Sequence, residues 1–477
     1  MMEHGYEEAA TASPSAQFLN SSVLSLTILG VLESEIPIQA SDSLVISLLK
    51  DVFVPINPRF SSIMVSEGTN GGVKKWKRVE VNHSDHVKVP NFPTGKPIEF
   101  YDDCFSDYLS KMAMEAFPPN RPLWEIHLFK YPTTNAAGNL IFKLHHSLGD
   151  GYSLMGAILS CLQRADNPAL PLTFPSRQRS AAAAAPRSKA SKKICGFFKA
   201  MPRVLFGAFN TVYDFGWSVL KSTLVEDDRT PVRSGDHGVE FRPIATTTMS
   251  FSLDQIKQIK DKLQVTINDV VTGIIIYGTR LYMKQCEEES SKARCTALVL
   301  FNTRAIGGYK SVTEMIKPNA EMPWGNHFTF LPVSLPALTP ANASDPLRFV
   351  RKAHRIIKRK RNSASVYLTG WLLQALMKTR GSEATARYIH GTSKNSSMGI
   401  SNMIGPMERM SLANHPAKGI YFIIAGIPQS LCVTMVSYVG SLRIALSVEK
   451  DFIDAERFKC CVDHAFEEIS KAALCSS

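Results

Sequence analysis

The sequence contains no CxxC pair, and its nine cysteines (Cys104, Cys161, Cys195, Cys286, Cys295, Cys432, Cys460, Cys461 and Cys475) are scattered and odd in number. That spacing suits neither a disulfide framework nor a zinc knuckle, and it fits a reducing, cytosol-facing location. Also missing is an uncharged apolar run of ~20 residues, the length a spanning helix needs. The nearest approach, Cys195 to Leu220, is interrupted by Lys199, Arg203 and Asp214. The opening stretch "MMEHGYEEAATASPSAQFLN" has no basic segment leading into an apolar core, so no secretory signal is expected. Sequons such as Asn82-His83-Ser84 are then expected to stay unused. Acidic residues are absent between Pro171 and Arg203, where Arg177, Arg179, Arg187, Lys189, Lys192, Lys193, Lys199 and Arg203 occur. This basic stretch also lacks the regular interleaving of stacking aromatics that single-stranded nucleic acid would need, so no nucleic-acid partner is expected.

What is present is a globular composition, 44% hydrophobic and 20% charged. At 477 residues the chain is too long for one simple core and implies two or three domains. A net charge of +12 favours anionic partners, such as a membrane surface or a phosphate-bearing molecule. The low-complexity stretch "SRQRSAAAAAPRSKASKK" cannot bury enough apolar surface to order itself and reads as a linker. It runs into a segment in which Phe198, Met201, Leu205, Phe209, Val212, Phe215 and Val219 recur at three- and four-residue steps, as on one helix face. A core-facing helix between domains is one reading. A polybasic, amphipathic attachment lying in the plane of a membrane is the preferred one. The expected division is therefore an N-terminal domain over 1–170, a linker with its membrane-contact helix over 171–235, and a C-terminal domain over 236–477.

Both flanks carry strands and helices. Before the linker, "GNLIFKLHH" reads as a strand entering a glycine loop, and "GYSLMGAILSCLQRA" as a helix with Tyr152, Met155, Ile158, Leu159 and Leu162 on one side. After it, Ser252 with Gln255 and Thr266 with Asp269 form capping boxes for two helices. "CTALVLFNTR" and "GNHFTFLPVSLP" read as strands, "DPLRFVRKAHRIIKRKRN" as a basic helix, and "VTMVSYVGSLRIALSVE" as a strand pair. The chain closes on the helix "AERFKCCVDHAFEEISKAAL". Strands alternating with helices on both sides predict two α/β domains.

The chemistry concentrates in "HHSLGDG", His145 to Gly151. Adjacent residues on a strand point to opposite faces, so His145 and His146 do not ligate one metal together. No metal site is expected. A lone histidine is more often structural than reactive, but this pair ends an apolar strand in a polar loop, where reactive groups tend to lie. Without a serine or cysteine nucleophile motif, the fitting role is direct proton removal from an acceptor hydroxyl by a neutral imidazole. Asp150, before a helix, can cap that helix or pair with an arginine. Gly149 and Gly151 give the loop torsional freedom.

HHxxxDG at His145 to Gly151 resembles the active-site motif of acyl-CoA-dependent acyltransferases with the chloramphenicol-acetyltransferase fold. Further matches resemble the plant-type wax ester synthase/diacylglycerol acyltransferase family. They are "RPLWEIHLF" at Arg121 to Phe129, "INDVV" at Ile267 to Val271, "WGNHFTFLPVSLP", and "SNMIGPMERMSLANHPAKGIYF" followed by "VTMVSYVGSLRIAL". The resemblance runs from about Pro14 to the C-terminus. Five elements in order are far more specific than the histidine motif alone. "YDFGWS" at Tyr213 to Ser218 is similar to a motif of the BAHD acyltransferases, but it lies mid-chain rather than near the C-terminus and is read as chance.

The resemblance implies two chloramphenicol-acetyltransferase-like α/β domains with a channel at their interface. It makes His146 the general base and Asp150 its partner in the motif, with His145, Gly151, Asn268 and Asp269 in support. Asn268 stands open between an oxyanion donor and a helix-start asparagine without substrate contact. The implied substrates are fatty acyl-CoA with a long-chain fatty alcohol or diacylglycerol, giving wax ester or triacylglycerol. Acyl-CoA is a co-substrate, and no cofactor is expected. The expected location is the cytosolic face of the endoplasmic reticulum membrane, with the plasma membrane second. A BAHD-like enzyme with another alcohol acceptor, and a non-catalytic lipid-binding relative, remain the alternatives.

Overall fold

The computed structural model describes residues 10–38, 42–66, 72–170, 172–173, 211–304, 312–317, 320, 323–340 and 344–475. Most of the basic linker, and the amphipathic segment up to residue 210, lie outside the described residues. Among the described residues two large sheets carry the fold. The first has the order β5 (Val87–Lys88), β6 (Trp124–Phe129), β7 (Gly138–His145), β2 (Thr27–Ser34), β14 (His415–Ala425), β13 (Met410–Leu412) and β8 (Gln163–Arg164). The second runs β11 (Phe328–Ser334), β10 (Thr296–Asn302), β12 (Met398–Ile404), β15 (Leu431–Tyr438), β16 (Ser441–Glu449) and β9 (Ile244–Ser252). A small sheet of β1 (Ala10–Thr11), β4 (Lys74–Arg78) and β3 (Ser62–Ser66) flanks the first.

β7 and β2 are buried at every residue, because each has a neighbour on both edges and cover on both faces. That explains why their sequences read as near-continuous apolar runs. In the second sheet β12 pairs parallel with both β10 and β15, and the remaining pairs are antiparallel. The helix Ile267–Cys286 crosses this sheet's outer face. It is held by the helices Leu347–Arg361 and Ala455–Leu474, and a Cβ at Gly273 or Gly278 would fall 2.7 Å from Val350 or 2.8 Å from Val462. Two glycines thus set how closely three helices approach.

Sheet membership does not follow a cut of the chain at the linker. β13 and β14 come from the C-terminal half, yet β14 pairs antiparallel with β2 over Ala417–Ala425, and β13 pairs with β8. β14 covers the edge that β2 would otherwise expose, which removes an aggregation-prone strand edge while locking the halves together. The sequence-expected helices and strands are present at Gly151–Ser160, Leu253–Leu263, Ile267–Cys286, Leu347–Arg361, Ala455–Leu474, β7, β10, β11, β15 and β16. No described helix is long and apolar enough to cross a membrane.

Candidate active site

β7 ends at His145, and the chain then turns through residues 146–150 into the helix Gly151–Ser160. His146 remains tied to the sheet, since its N–H donates to the Leu26 carbonyl at 2.8 Å. The strand's alternation therefore reaches both histidines, which face opposite ways. His145 points into the first half, edge-on to Phe117 at 5.9 Å. Its Nδ1 accepts from the Ser147 N–H at 3.1 Å, so the ring proton is on Nε2, which donates to Ser25 Oγ at 3.0 Å. Burial pushes its pKa down to about 3, and His145 is held neutral with both nitrogens occupied. Nothing is left of it for a substrate.

His146 faces the second half and packs on Phe328, ring centroids 5.3 Å apart. Asn326 clamps it twice. The Asn326 Nδ2 donates to the His146 carbonyl at 3.0 Å, and a carbonyl can only accept, so the amide orientation is fixed. Oδ1 then faces His146 Nδ1 at 2.9 Å and, being an acceptor, requires that nitrogen to carry the proton. The unprotonated nitrogen is therefore Nε2. Burial lowers the pKa of His146, while the Asp150 charge, its own backbone and Asn326 oppose that. The outcome is a neutral imidazole, its proton parked on the far nitrogen, on the wall of a cavity.

That cavity, about 420 Å³, runs between the halves. Its floor is the second sheet, with Leu298, Leu300, Phe328, Phe330 and Pro332 at alternate positions of β10 and β11. Leu24, Leu26 and Ile424 close it from the first half. Among the described lining residues Arg59 is the one permanently charged side chain. Its Nη1 donates to the Leu148 carbonyl at 3.0 Å, and burial lowers its pKa to about 10.

Asp150 does both things available to it. Oδ1 accepts from the Ser153 N–H at 3.0 Å, capping the helix Gly151–Ser160, while Oδ2 accepts from the His327 N–H at 3.0 Å and from Arg304 Nη1. Arg304, 8% exposed, also donates to the Gly325 carbonyl at 2.8 Å and the Pro323 carbonyl at 3.1 Å. The aspartate thus binds the motif loop of the first half to the Pro323–His327 stretch that carries Asn326. Gly151 belongs to this seam: a Cβ there would fall 2.5 Å from Met403 Sδ.

Asn268 and Asp269 lie elsewhere. Asn268 Oδ1 accepts from Asn402 Nδ2 at 3.3 Å, and Asn268 is not among the described cavity-lining residues. Asp269 completes both halves of a capping box with Thr266 and meets His354 Nδ1 at 2.8 Å. The "YDFGWS" stretch is helical, and its Asp214 is buried against Arg359 and Lys360 at 2.9 and 3.1 Å. Lys360 is therefore an interior cation rather than part of a solvated basic face. No described cluster of histidine, cysteine, aspartate and glutamate could hold a metal. Asn326, Arg304 and Arg59 are the site residues that local sequence reading missed. The "WGNHF" stretch carried the signal for Asn326, an asparagine opening a strand.

Comparison with known proteins fits this geometry. A model described as "Wax ester synthase/diacylglycerol acyltransferase catalytic domain" matches residues 53–271, and one described as "WS/DGAT C-terminal domain" matches 324–470. Together they take in about three quarters of the chain. The chain is 29% identical to wax ester synthase/diacylglycerol acyltransferase 5 of Arabidopsis thaliana, over 96% of its own length and 92% of that protein's. Its fold is similar to that of the wax ester synthase/diacylglycerol acyltransferase from Marinobacter aquaeolei VT8. There the TM-score is 0.58 at 17% identity, covering 97% of this chain and 100% of that one. It is similar also to the TRI3 trichothecene 15-O-acetyltransferase of Fusarium sporotrichioides, with a TM-score of 0.53 at 11% identity over 98% and 94% of the two chains. The two α/β halves have the chloramphenicol-acetyltransferase-like fold. The chain belongs to the wax ester synthase/diacylglycerol acyltransferase family.

Proposed function

We propose that the protein transfers a fatty acyl group from acyl-CoA to the hydroxyl of a long-chain alcohol, and to diacylglycerol, with His146 as general base. The observation that carries this reading is the neutral, Nδ1-protonated imidazole of His146 on an apolar cavity. As the hydroxyl oxygen attacks the thioester carbonyl carbon, Nε2 takes its proton. The new C–O bond forms, the C–S bond breaks, and the proton passes from His146 to the departing CoA sulfur. No acyl-enzyme is required, and the eight described cysteines are free. Arg59 is better suited than Asn268 to the negative charge developing on the carbonyl oxygen, being a half-buried cation that lines the same cavity. A cavity of about 420 Å³ lies within the ~300–1,000 Å³ usual for bound small molecules.

The substrates dissolve in membranes, and a membrane contact suits the cavity rim. Ser218 and Gly370 line the cavity, and around them the helical residues 211–223 and the helix Ser365–Lys394 expose Val212, Leu220, Tyr367 and Trp371. Such an apolar rim supports attachment at the cytosolic face of the endoplasmic reticulum, with the plasma membrane second.

The test is ester formation from labelled palmitoyl-CoA with hexadecanol and diacylglycerol competing. His146→Ala is expected to lower kcat by ~10²–10⁴-fold while the protein stays folded. His145→Gln, altering the opposite face of the strand, is expected to retain most of the turnover. Near-normal turnover in the His146 variant removes the base assignment. A wild-type protein that binds acyl chains without any ester product is a lipid-binding relative instead.

A further inference from the structure

Two polar atoms in this cavity have nothing to bond to. Tyr388 and Gln429 both line it, and Tyr388 Oη and Gln429 Nε2 are each buried without a hydrogen-bond partner among the described residues. Gln429 is 9% exposed. A buried donor without an acceptor is costly and is rarely kept in a folded protein. Two such groups on one apolar cavity point to a ligand that completes them.

The position of Gln429 separates it from the reacting end. The Gln429 side-chain oxygen lies 3.1 Å from where a Cβ on Gly399 would stand. Gly399 is level with Leu298 on β10, which pairs with Pro332 on β11. His146 meets β11 at Phe328, four residues earlier. Four strand residues span ~13 Å. Gly399 also lies two strands across from β11, ~4.8 Å for each strand, which makes the separation roughly 16 Å. An extended alkyl chain advances ~1.25 Å per carbon by its tetrahedral geometry, so the two positions are about a dozen carbons apart. Tyr388 joins the lining through its neighbour Ile389, which packs in one apolar cluster with Ile427, two residues before Gln429, and with Phe328.

We propose that Tyr388 and Gln429 form a polar subsite for a hydroxyl carried on the aliphatic chain of a substrate, about a dozen carbons from the reacting carbonyl or alcohol. A hydroxyl oxygen accepts from the Gln429 amide and can either donate to or accept from the Tyr388 phenol, so it satisfies both groups. A plain methylene chain leaves both unpaired. Sites built to bond a substrate oxygen discriminate strongly against the analogue that lacks it, because their own polar groups are then stranded. The oxygenated chain can belong to the acyl donor or to the alcohol. This assignment rests on the acyl-transfer reading above.

The experiment uses the full chain in two kinetic arms. One compares ω-hydroxydodecanoyl-CoA with dodecanoyl-CoA on a plain alcohol, and the other compares dodecane-α,ω-diol with dodecanol on a plain acyl-CoA. In one arm the hydroxylated member is expected to win in kcat/KM by about tenfold or more. Tyr388→Phe and Gln429→Leu are each expected to erase that ratio, and the arm that responds identifies which substrate carries the oxygen. Tyr388→Phe removes a single oxygen, and unchanged melting of that variant keeps the result readable if Gln429→Leu misfolds. A third measurement is calorimetric binding of diol and dodecanol to the His146→Ala protein. General hydrophobic partition favours dodecanol, so tighter binding of the diol can come only from a polar subsite. Diol preference in binding without any ester product would leave the subsite standing and remove the acyl-transfer reading. No preference in either arm overturns the proposal. So does an equal rise in KM for both acyl-CoAs in the variants, which would assign the pair to the pantetheine arm.

Discussion

An imidazole acts as a base only through the nitrogen that lacks the proton, and in His146 that choice is made by Asn326. The amide donates to one acceptor-only group and accepts from Nδ1, so neither ring nor amide can flip without stranding a partner. Replacing Asn326 with leucine frees the tautomer and removes an interaction that favours the protonated ring. The His146 pKa, already depressed by burial, should fall further. The acid limb of the kcat/KM profile is therefore expected to move to lower pH, because more acid is needed to protonate the base. The plateau should drop by roughly tenfold or more as the wrong tautomer becomes populated. Asn326→Asp supplies a carboxylate at the same place, which favours imidazolium and should move the limb to higher pH. Opposite shifts of the two variants are the signature of a positioning residue. A loss with no shift in either would assign Asn326 to packing alone. Strand alternation made it legible in the sequence that the two histidines face opposite ways, and the resemblance of the HHxxxDG motif pointed to His146. The "WGNHF" stretch marked Asn326 as a motif residue, but not its partnership with His146, because it stands 180 positions away and only the folded chain brings it to the ring.

At the scale of elements, the strand β7, the motif loop and the helix Gly151–Ser160 are held in line by one carboxylate. Asp150→Asn keeps an oxygen for the Ser153 N–H but turns an NH2 group towards the donors of Arg304 or His327. It also leaves the Arg304 side chain, 1% exposed, without its ion pair. Breaking a buried pair in this way costs roughly 3–5 kcal/mol. Thermal melting and ester formation are expected to fall together in this variant. Lost activity with unchanged melting would put Asp150 in the proton path instead. The elements themselves were largely readable. Thr266 and Asp269 marked one helix start through a capping box, and residues Ala455–Leu474 form the closing helix read from the sequence. Partnerships between elements were not. Periodicity states which face of a strand is buried and not which strand lies beside it, so the transfer of β13 and β14 into the first sheet left no local mark. Lys360 and Asp214 illustrate the same limit. Neither segment names the other as its partner, and the two meet in the interior only because the two helices pack.

For the whole molecule, the proposed membrane attachment would have the surplus of positive charge and the apolar rim act on the same partner by different physics. The basic residues Arg177, Arg179, Arg187, Lys189, Lys192, Lys193, Lys199 and Arg203 precede the helical residues 211–223, whose Val212, Leu220 and the nearby Leu224 are exposed. Near an anionic leaflet each basic residue adds ~1 kcal/mol of attraction before ordering costs, and the term falls off within a Debye length. Apolar insertion is indifferent to salt. The two contributions can therefore be separated by what each responds to. Changing those eight basic residues to glutamine is expected to weaken sedimentation with anionic vesicles, most visibly when compared with wild type at low salt. Adding Trp371→Ser and Val212→Ser should lower the part that survives high salt. Turnover of short, water-soluble substrates by the glutamine variant should persist, since the change leaves His146, Asn326, Asp150 and Arg59 in place. A glutamine variant that remains with the vesicles through high salt and carbonate washing would mean that apolar surface or another face holds the protein, and the electrostatic half of the attachment would fall.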